Sequence, residues 1–249
     1  MTPGGIMKRA LQWLGILALG LSMAGCATPT SRTSASAKFE WTSPTKRILI
    51  VEPDIQLSLL DAGGVLEPRA DWTATARGVF DKGIKDHFGK NGTEVVSSGE
   101  PTAREAQLMK LHNAVGIGTL THLYGPAGSN SAGALELPNK GSALDWTLGP
   151  GTAEMRDHYG ADYALFVFVR DSYSSAAKKA LDVFTVIAGA ALGVGIAPTG
   201  GVQIGFASLV DLRTGNIVWF NRAIDGMGDL REEAKDARAT DQLLKDIPI

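Results

Sequence analysis

Residues Tyr163 to Val169 read YALFVFV, seven consecutive aromatic or aliphatic positions without a charge. A strand with one wet face alternates apolar and polar residues, whereas an unbroken run of this length has to be buried as the centre of a sheet. A short helix over Thr152 to Tyr159 leads into it. Upstream, Arg47 to Pro53 (RILIVEP) reads as a buried first strand closed by proline. Asp71 is placed to cap a helix in which Trp72, Ala76, Val79, Phe80, Ile84 and Phe88 recur at spacings of three and four, ending at Gly89. After the Asn91-Gly92 turn, Thr93 to Ser98 reads as a second strand, and Thr102 with Glu105 forms a capping box for a second helix carrying Leu108, Met109, Leu111 and Val115. Residues 125 to 151 are rich in Gly, Ser and Pro and read as a long loop with one short element near Leu144 to Leu148. Two apolar runs around Arg213-Thr214-Gly215-Asn216 give a hairpin, and Asp229 to Lys245 a terminal helix. The expected class is α/β (α+β): a mixed sheet of about five strands with helices packed mainly on one face, in the order β-α-β-α-(loop)-α-β-(apolar insert)-β-β-α.

The N-terminus has a separate logic. Lys8 and Arg9 precede an apolar run from Leu11 to Leu21, which is too short for a hydrocarbon core that needs about 20 residues in helix. The run ends at Met23-Ala24-Gly25-Cys26, which contains the one cysteine in the chain. These four residues resemble the lipobox of bacterial lipoproteins, although Met23 stands where leucine is usual. The resemblance implies cleavage after residue 25 and acylation of Cys26, and two or more acyl chains make a stable membrane anchor. Ala27 rather than aspartate after the cysteine implies, by resemblance to the sorting rules of enteric bacteria, the outer membrane and its periplasmic face. Residues 26 to 46, rich in Ser, Thr, Ala and Pro, read as a flexible tether. As a coil of about 20 residues it would hold a single domain, 47 to 249, roughly 25 Å from the bilayer. Loss of residues 1 to 25 removes Lys8 and Arg9 and no acid, so the formal charge moves from -2 to -4. That balance argues against nucleic acid as a partner. One cysteine allows no internal disulfide, so stability rests on the core.

The segments YGADYALFVFVRD and GFASLVDLRTGNIVWFNR resemble the core of small bacterial envelope lipoproteins, a group that includes the curli secretion lipoprotein and the penicillin-binding-protein activator lipoproteins. These share a fold like the N-terminal domain of the Tol-Pal translocation protein. Gly160-Ala161-Asp162-Tyr163 corresponds to the turn entering the central strand, and Leu209 to Gly215 to the strand before the hairpin. The resemblance implies a binding or assembly role with a protein of the envelope or with further copies of the chain.

Two features qualify that expectation. Val183 to Pro198 is sixteen residues without a charge. As a helix it would be about 24 Å long, short of a hydrocarbon core of about 30 Å. Within the insert at 180 to 200, Val183, Phe184, Ile187, Gly189, Leu192 and Gly193 are the expected self-association surface, with a membrane-inserting transport oligomer as the alternative. No catalytic set, metal ligand set or cofactor motif is read from the chain: His87, His112, His122 and His158 lack metal-ligand spacing, and no phosphate-binding loop or nucleophile elbow is present. A carboxylate-dependent hydrolase would need Asp145, Glu154 or Asp157 to converge with Asp171. Asp162 and Asp211 are read as strand-end residues that bind backbone N–H groups. Trp146, Trp219 and Tyr173 could line a groove, or fill the core as buried aromatics mostly do.

Overall fold

The computed structural model describes residues 31–34, 38–42, 44–124, 137, 139–141, 143–182, 201–232 and 238–248. Its centre is strand β6 (Tyr163–Ser174), in which every residue from Tyr163 to Val169 is buried. It pairs in antiparallel fashion with β7 (Gln203–Asp211), which pairs with β8 (Ile217–Ile224). On its other side β6 is parallel to two strands placed end to end. β2 (Arg47–Ile50) pairs with Tyr163–Leu165, and β3 (Asp54–Leu60) with Phe168–Ser174. Between them Pro53, which has no N–H to donate, marks the break in the ladder. β4 (Leu66–Pro68) folds back on β3, β5 (Glu94–Ser97) is parallel to β2, and β1 (Arg32–Thr33) lies antiparallel on β8.

The mixed-sheet α/β class is therefore as expected, but among the described residues the sheet has eight strands rather than about five. The additional three are β1, β3 and β4. Helices also cover both faces instead of mainly one. Successive side chains of a strand point to opposite faces, so the unbroken run of β6 sends bulk both ways. Tyr163, Leu165, Val167 and Val169 meet Phe80, Ile84 and Phe88 of α1 (Ala70–Lys90) and Leu243 of α4 (Arg238–Leu243). Ala164, Phe166 and Phe168 meet Leu108, Leu120 and Leu123 of α2 (Ala103–Tyr124) and Met155 of α3 (Ala153–Tyr159).

Local chemistry sets the helix starts. Thr102 and Glu105 form the expected capping box: the Thr102 N–H donates to Glu105 Oε2 at 2.7 Å, and the Glu105 N–H to Thr102 Oγ1 at 3.3 Å. Asp71 is not the cap of α1. The helix begins one residue earlier, so Asp71 sits in its first turn, where it accepts both Arg69 guanidinium bonds and faces the positive end of the helix. α2 approaches β7 closely because residue 116 is glycine: a Cβ there would stand 2.2 Å from the Phe206 ring. None of the described helices is long and apolar enough to cross a membrane.

Candidate functional site

Cys26 and the six positions expected to self-associate, Val183, Phe184, Ile187, Gly189, Leu192 and Gly193, lie outside the described residues. The structure does show where the chain on either side of them attaches.

Residues 31–34 and 38–42 belong to the stretch whose composition reads as tether, and they pack on the domain. The Ser34 N–H donates to Val218 O at 2.9 Å as β1 closes the β8 edge. Ser31 Oγ donates to Asp246 Oδ2 at 2.9 Å, and Arg32 donates to Leu123 O. Phe39 and Trp41 then stack about Tyr163, with ring centroids 4.7 and 5.7 Å away. The Tyr163 hydroxyl donates to Glu40 O at 2.7 Å and accepts from the Glu40 N–H at 3.0 Å. Burial first of all raises the Tyr163 phenol above its ordinary value. Asp162 beside it accepts from Thr42 Oγ1 at 2.6 Å and pairs with Arg156 at 3.3 Å. The Gly160–Tyr163 turn singled out in the sequence is thus the dock of the N-terminal segment. Asp162 acts through side-chain donors in these contacts. Asp211 behaves as read, taking the Arg213 N–H at 2.9 Å and the Arg213 guanidinium at its two oxygens.

At the opposite end of β6 the chain leads into residues 183–200. Asp171 is 5 % exposed and accepts from Gln203 Nε2 at 2.8 Å. Burial keeps its carboxyl above the usual range, against the opposing hydrogen bonds of Tyr173 and Gln203. Gln203 also accepts the Met227 N–H and donates to Gly228 O, tying β7 to the segment after β8. Above this network Trp72 and Tyr173 meet edge to face at 5.7 Å, with Arg231 stacked 4.0 Å over Tyr173 and Arg69 4.3 Å over Trp72. The hydrogen bond from Arg231 is the main reason that Asp229 falls to about 2. Leu181 and Val202, on the two sides of the insert, are 45 % and 56 % exposed.

The residues of the hydrolase alternative do not converge. Glu154 pairs with Arg104, Asp157 with Arg156 and Asp145 with Lys140, and their side chains are largely in solvent. Glu154 and Asp157 lie on α3 before the start of β6, whereas Asp171 is about 26 Å further along that strand. Nor do Trp146, Trp219 and Tyr173 line a groove. Trp219 is fully buried in the α1-side core, Trp146 stacks on His122, and Tyr173 meets Trp72 edge to face. Among the described residues no three His, Cys, Asp or Glu side chains are grouped to hold a metal.

Sequence reading missed one pairing. His112, for which the sequence showed only the lack of metal-ligand spacing, is 1 % exposed, and its Nε2 lies 2.9 Å from Ser208 Oγ. Its ring stacks on Phe166 at 4.9 Å. A hydroxyl beside an imidazole is the geometry of an activated nucleophile. Both residues are sealed from solvent, however, so the pair joins α2 to β7. The available signal was the spacing of His112 four residues after Leu108, on the buried face of α2. Burial lowers His112 to about 4 from 6.5. Because the folded state resists protonation and the unfolded state does not, stability falls as pH drops from 6.5 towards 4. The half-buried His87, also lowered by burial, acts in the same direction, and Asp171 acts against it. We expect His112→Gln to flatten most of this slope in urea melts across that window. An unchanged slope would assign it to other groups.

No protein-family model matches the sequence, and no curated protein matches it. Among solved structures, it is similar to PelC from Paraburkholderia phytofirmans, a dodecamer, at 10 % identity over 86 % of this chain and 96 % of that chain, with a TM-score of 0.35. The lipoprotein GNA1162 from Neisseria meningitidis matches at 14 % identity over 72 % of this chain and 79 % of its own, with a TM-score of 0.29. The LpoB C-terminal domain from Salmonella enterica matches at 11 % identity, 74 % and 85 % coverage and a TM-score of 0.27. At these values no residue role passes from those proteins to this one.

Proposed function

We propose that the chain is a lipoprotein of the outer membrane, acylated at Cys26 and facing the periplasm, whose α/β domain works by contact rather than by chemistry. The observation that carries this reading is the N-terminal order of Lys8 and Arg9, the short apolar run and Met23-Ala24-Gly25-Cys26. The domain supports it in two ways. Its hydroxyl–imidazole pair is closed to substrate, and Asp145, Glu154 and Asp157 are dispersed in ion pairs of their own, away from Asp171. Its partner is an envelope protein or another copy of the chain, met through Val183, Phe184, Ile187, Gly189, Leu192 and Gly193. Intact mass spectrometry of membrane-extracted material is expected to show a chain that starts at residue 26 and carries acyl groups. An unmodified thiol on soluble material would overturn the reading.

A second reading, a membrane-inserting oligomer, is favoured by the uncharged stretch from Val183 to Pro198 and the exposed Leu181 and Val202 beside it. Replacing residues 1–26 with a cleavable export signal separates the two. A contact module is expected to be released to the periplasm, and deletion of 183–198 to reduce its mass in solution if it self-associates. An inserting oligomer stays in the membrane through alkaline extraction.

A further inference from the structure

We infer that the docked N-terminal segment holds the domain against the bilayer with the β1–β8 edge of the sheet facing the lipid. This rests on acylation of Cys26, as proposed above. The composition of residues 26–46 suggests a leash of about 20 residues, which fully extended would reach on the order of 70 Å. The fold removes most of that reach. Ser31 is fixed to Asp246, Arg32–Thr33 to Trp219–Phe220, and Phe39 and Trp41 to Tyr163. Between Cys26 and Ser31 there remain five peptide steps, at most about 18 Å.

That distance excludes the far edge of the sheet from the membrane. A folded domain of this size has a radius of gyration of about 16 Å and so measures roughly 40 Å across. The far edge of the sheet is shared by β5, beyond β2, and β4, beyond β3, each five strand spacings from β1, or about 24 Å. If β4 faced the membrane, Ser31 would stand farther from the headgroups than the remaining leash can reach. With β1 towards the membrane it is well within reach. The lipid-facing side then comprises Ser31, Arg32, the C-terminal end of α2 and the chain after α4. Its charge is compatible with an anionic lipid surface: the half-buried Arg32 and Arg222 guanidiniums lie 5.3 and 4.4 Å from the Tyr124 ring on this side, with Asp246 the acid beside Ser31.

The test uses the acylated full-length protein in vesicles of phosphatidylethanolamine and phosphatidylglycerol that contain a headgroup-attached quencher. Fluorophores are placed on Lys245→Cys, next to the Ser31 contact, and on Glu67→Cys, in β4; both residues are exposed. Quenching at 245 is expected to exceed that at 67 several-fold. A Gly-Ser spacer of about 20 residues inserted before Ser31, which leaves every described contact in place, is expected to bring the two signals close to parity. Ser34→Pro, which deletes the donor to Val218 O, is expected to weaken the difference while the circular dichroism spectrum is kept. Equal quenching at the two sites, or a difference unmoved by the spacer, overturns the orientation. Failure of acylation is read separately, as an unmodified Cys26 by mass spectrometry, and overturns the anchor instead.

Discussion

Phe166→Ala is expected to destabilise the domain by about 3–5 kcal/mol, the range for deleting a large buried aromatic, with a fall in melting temperature of order 10 °C. Phe166 is 2 % exposed on the α2-facing side of β6, and the His112 ring rests on it. Its loss therefore opens a cavity beside the hydroxyl–imidazole pair as well as removing apolar contact. A water admitted there would stabilise the charged imidazole and raise its pKa towards the ordinary value. The variant is thus expected to show a shallower dependence of stability on pH between 6.5 and 4 as well as a lower plateau. Urea unfolding at several pH values measures both. A loss below about 1 kcal/mol would mean that α2 collapses onto the sheet and that the two layers are not closely fitted.

Gly215→Ala is expected to cost roughly 2–6 kcal/mol, because two independent penalties meet at one position. Gly215 has φ of 77°, where side chains other than Asn or Asp are strained, and a Cβ would stand 2.1 Å from Gly149 O. The contact is between backbones and cannot be relieved by turning a side chain. The Leu148 N–H donates to Gly215 O at 2.8 Å, so the β7–β8 turn and the segment before α3 are held at close quarters. Gly215→Asn separates the penalties, since Asn tolerates the dihedral and keeps the collision. If Asn restores full stability, the strain is conformational; if it matches Ala, the approach to Gly149 dominates. Thermal melts of the three proteins decide between them.

The parts of the fold that could be read in the sequence are those whose signal is local. The apolar run of β6, the 3.6-residue spacing of Ala76, Phe80, Ile84 and Phe88, the Thr102–Glu105 box and the turn at Asp211–Asn216 each carry their own structural instruction within a few residues. β3 was missed, although Ile55, Leu57 and Leu59 alternate with Gln56 and Ser58, because Pro53 before it and Gly63-Gly64 after it are turn formers. β1 could not be read at all. Arg32 and Thr33 are two polar residues with no apolar run or alternation to mark a strand, and their pairing exists because β8 offers an open edge. The same holds for the candidate site. Asp162 and Tyr163 were marked as a strand entry, but their role as a dock for Phe39, Trp41 and Thr42 depends on residues about 120 positions away. The pairing of His112 went unread for a related reason, since its partner Ser208 lies on a different element.

The contact of Ser31 with Asp246 joins positions 215 apart in the chain. A polypeptide is made from its N-terminus, so the first segment to emerge must wait for almost the last before it can be seated. Throughout most of synthesis Ser31 to Thr33 have yet to meet the strand and the acid that seat them. Completion of β8 and of the residues after α4 provides that seat, so docking of the N-terminal segment is confined to the last stage of folding.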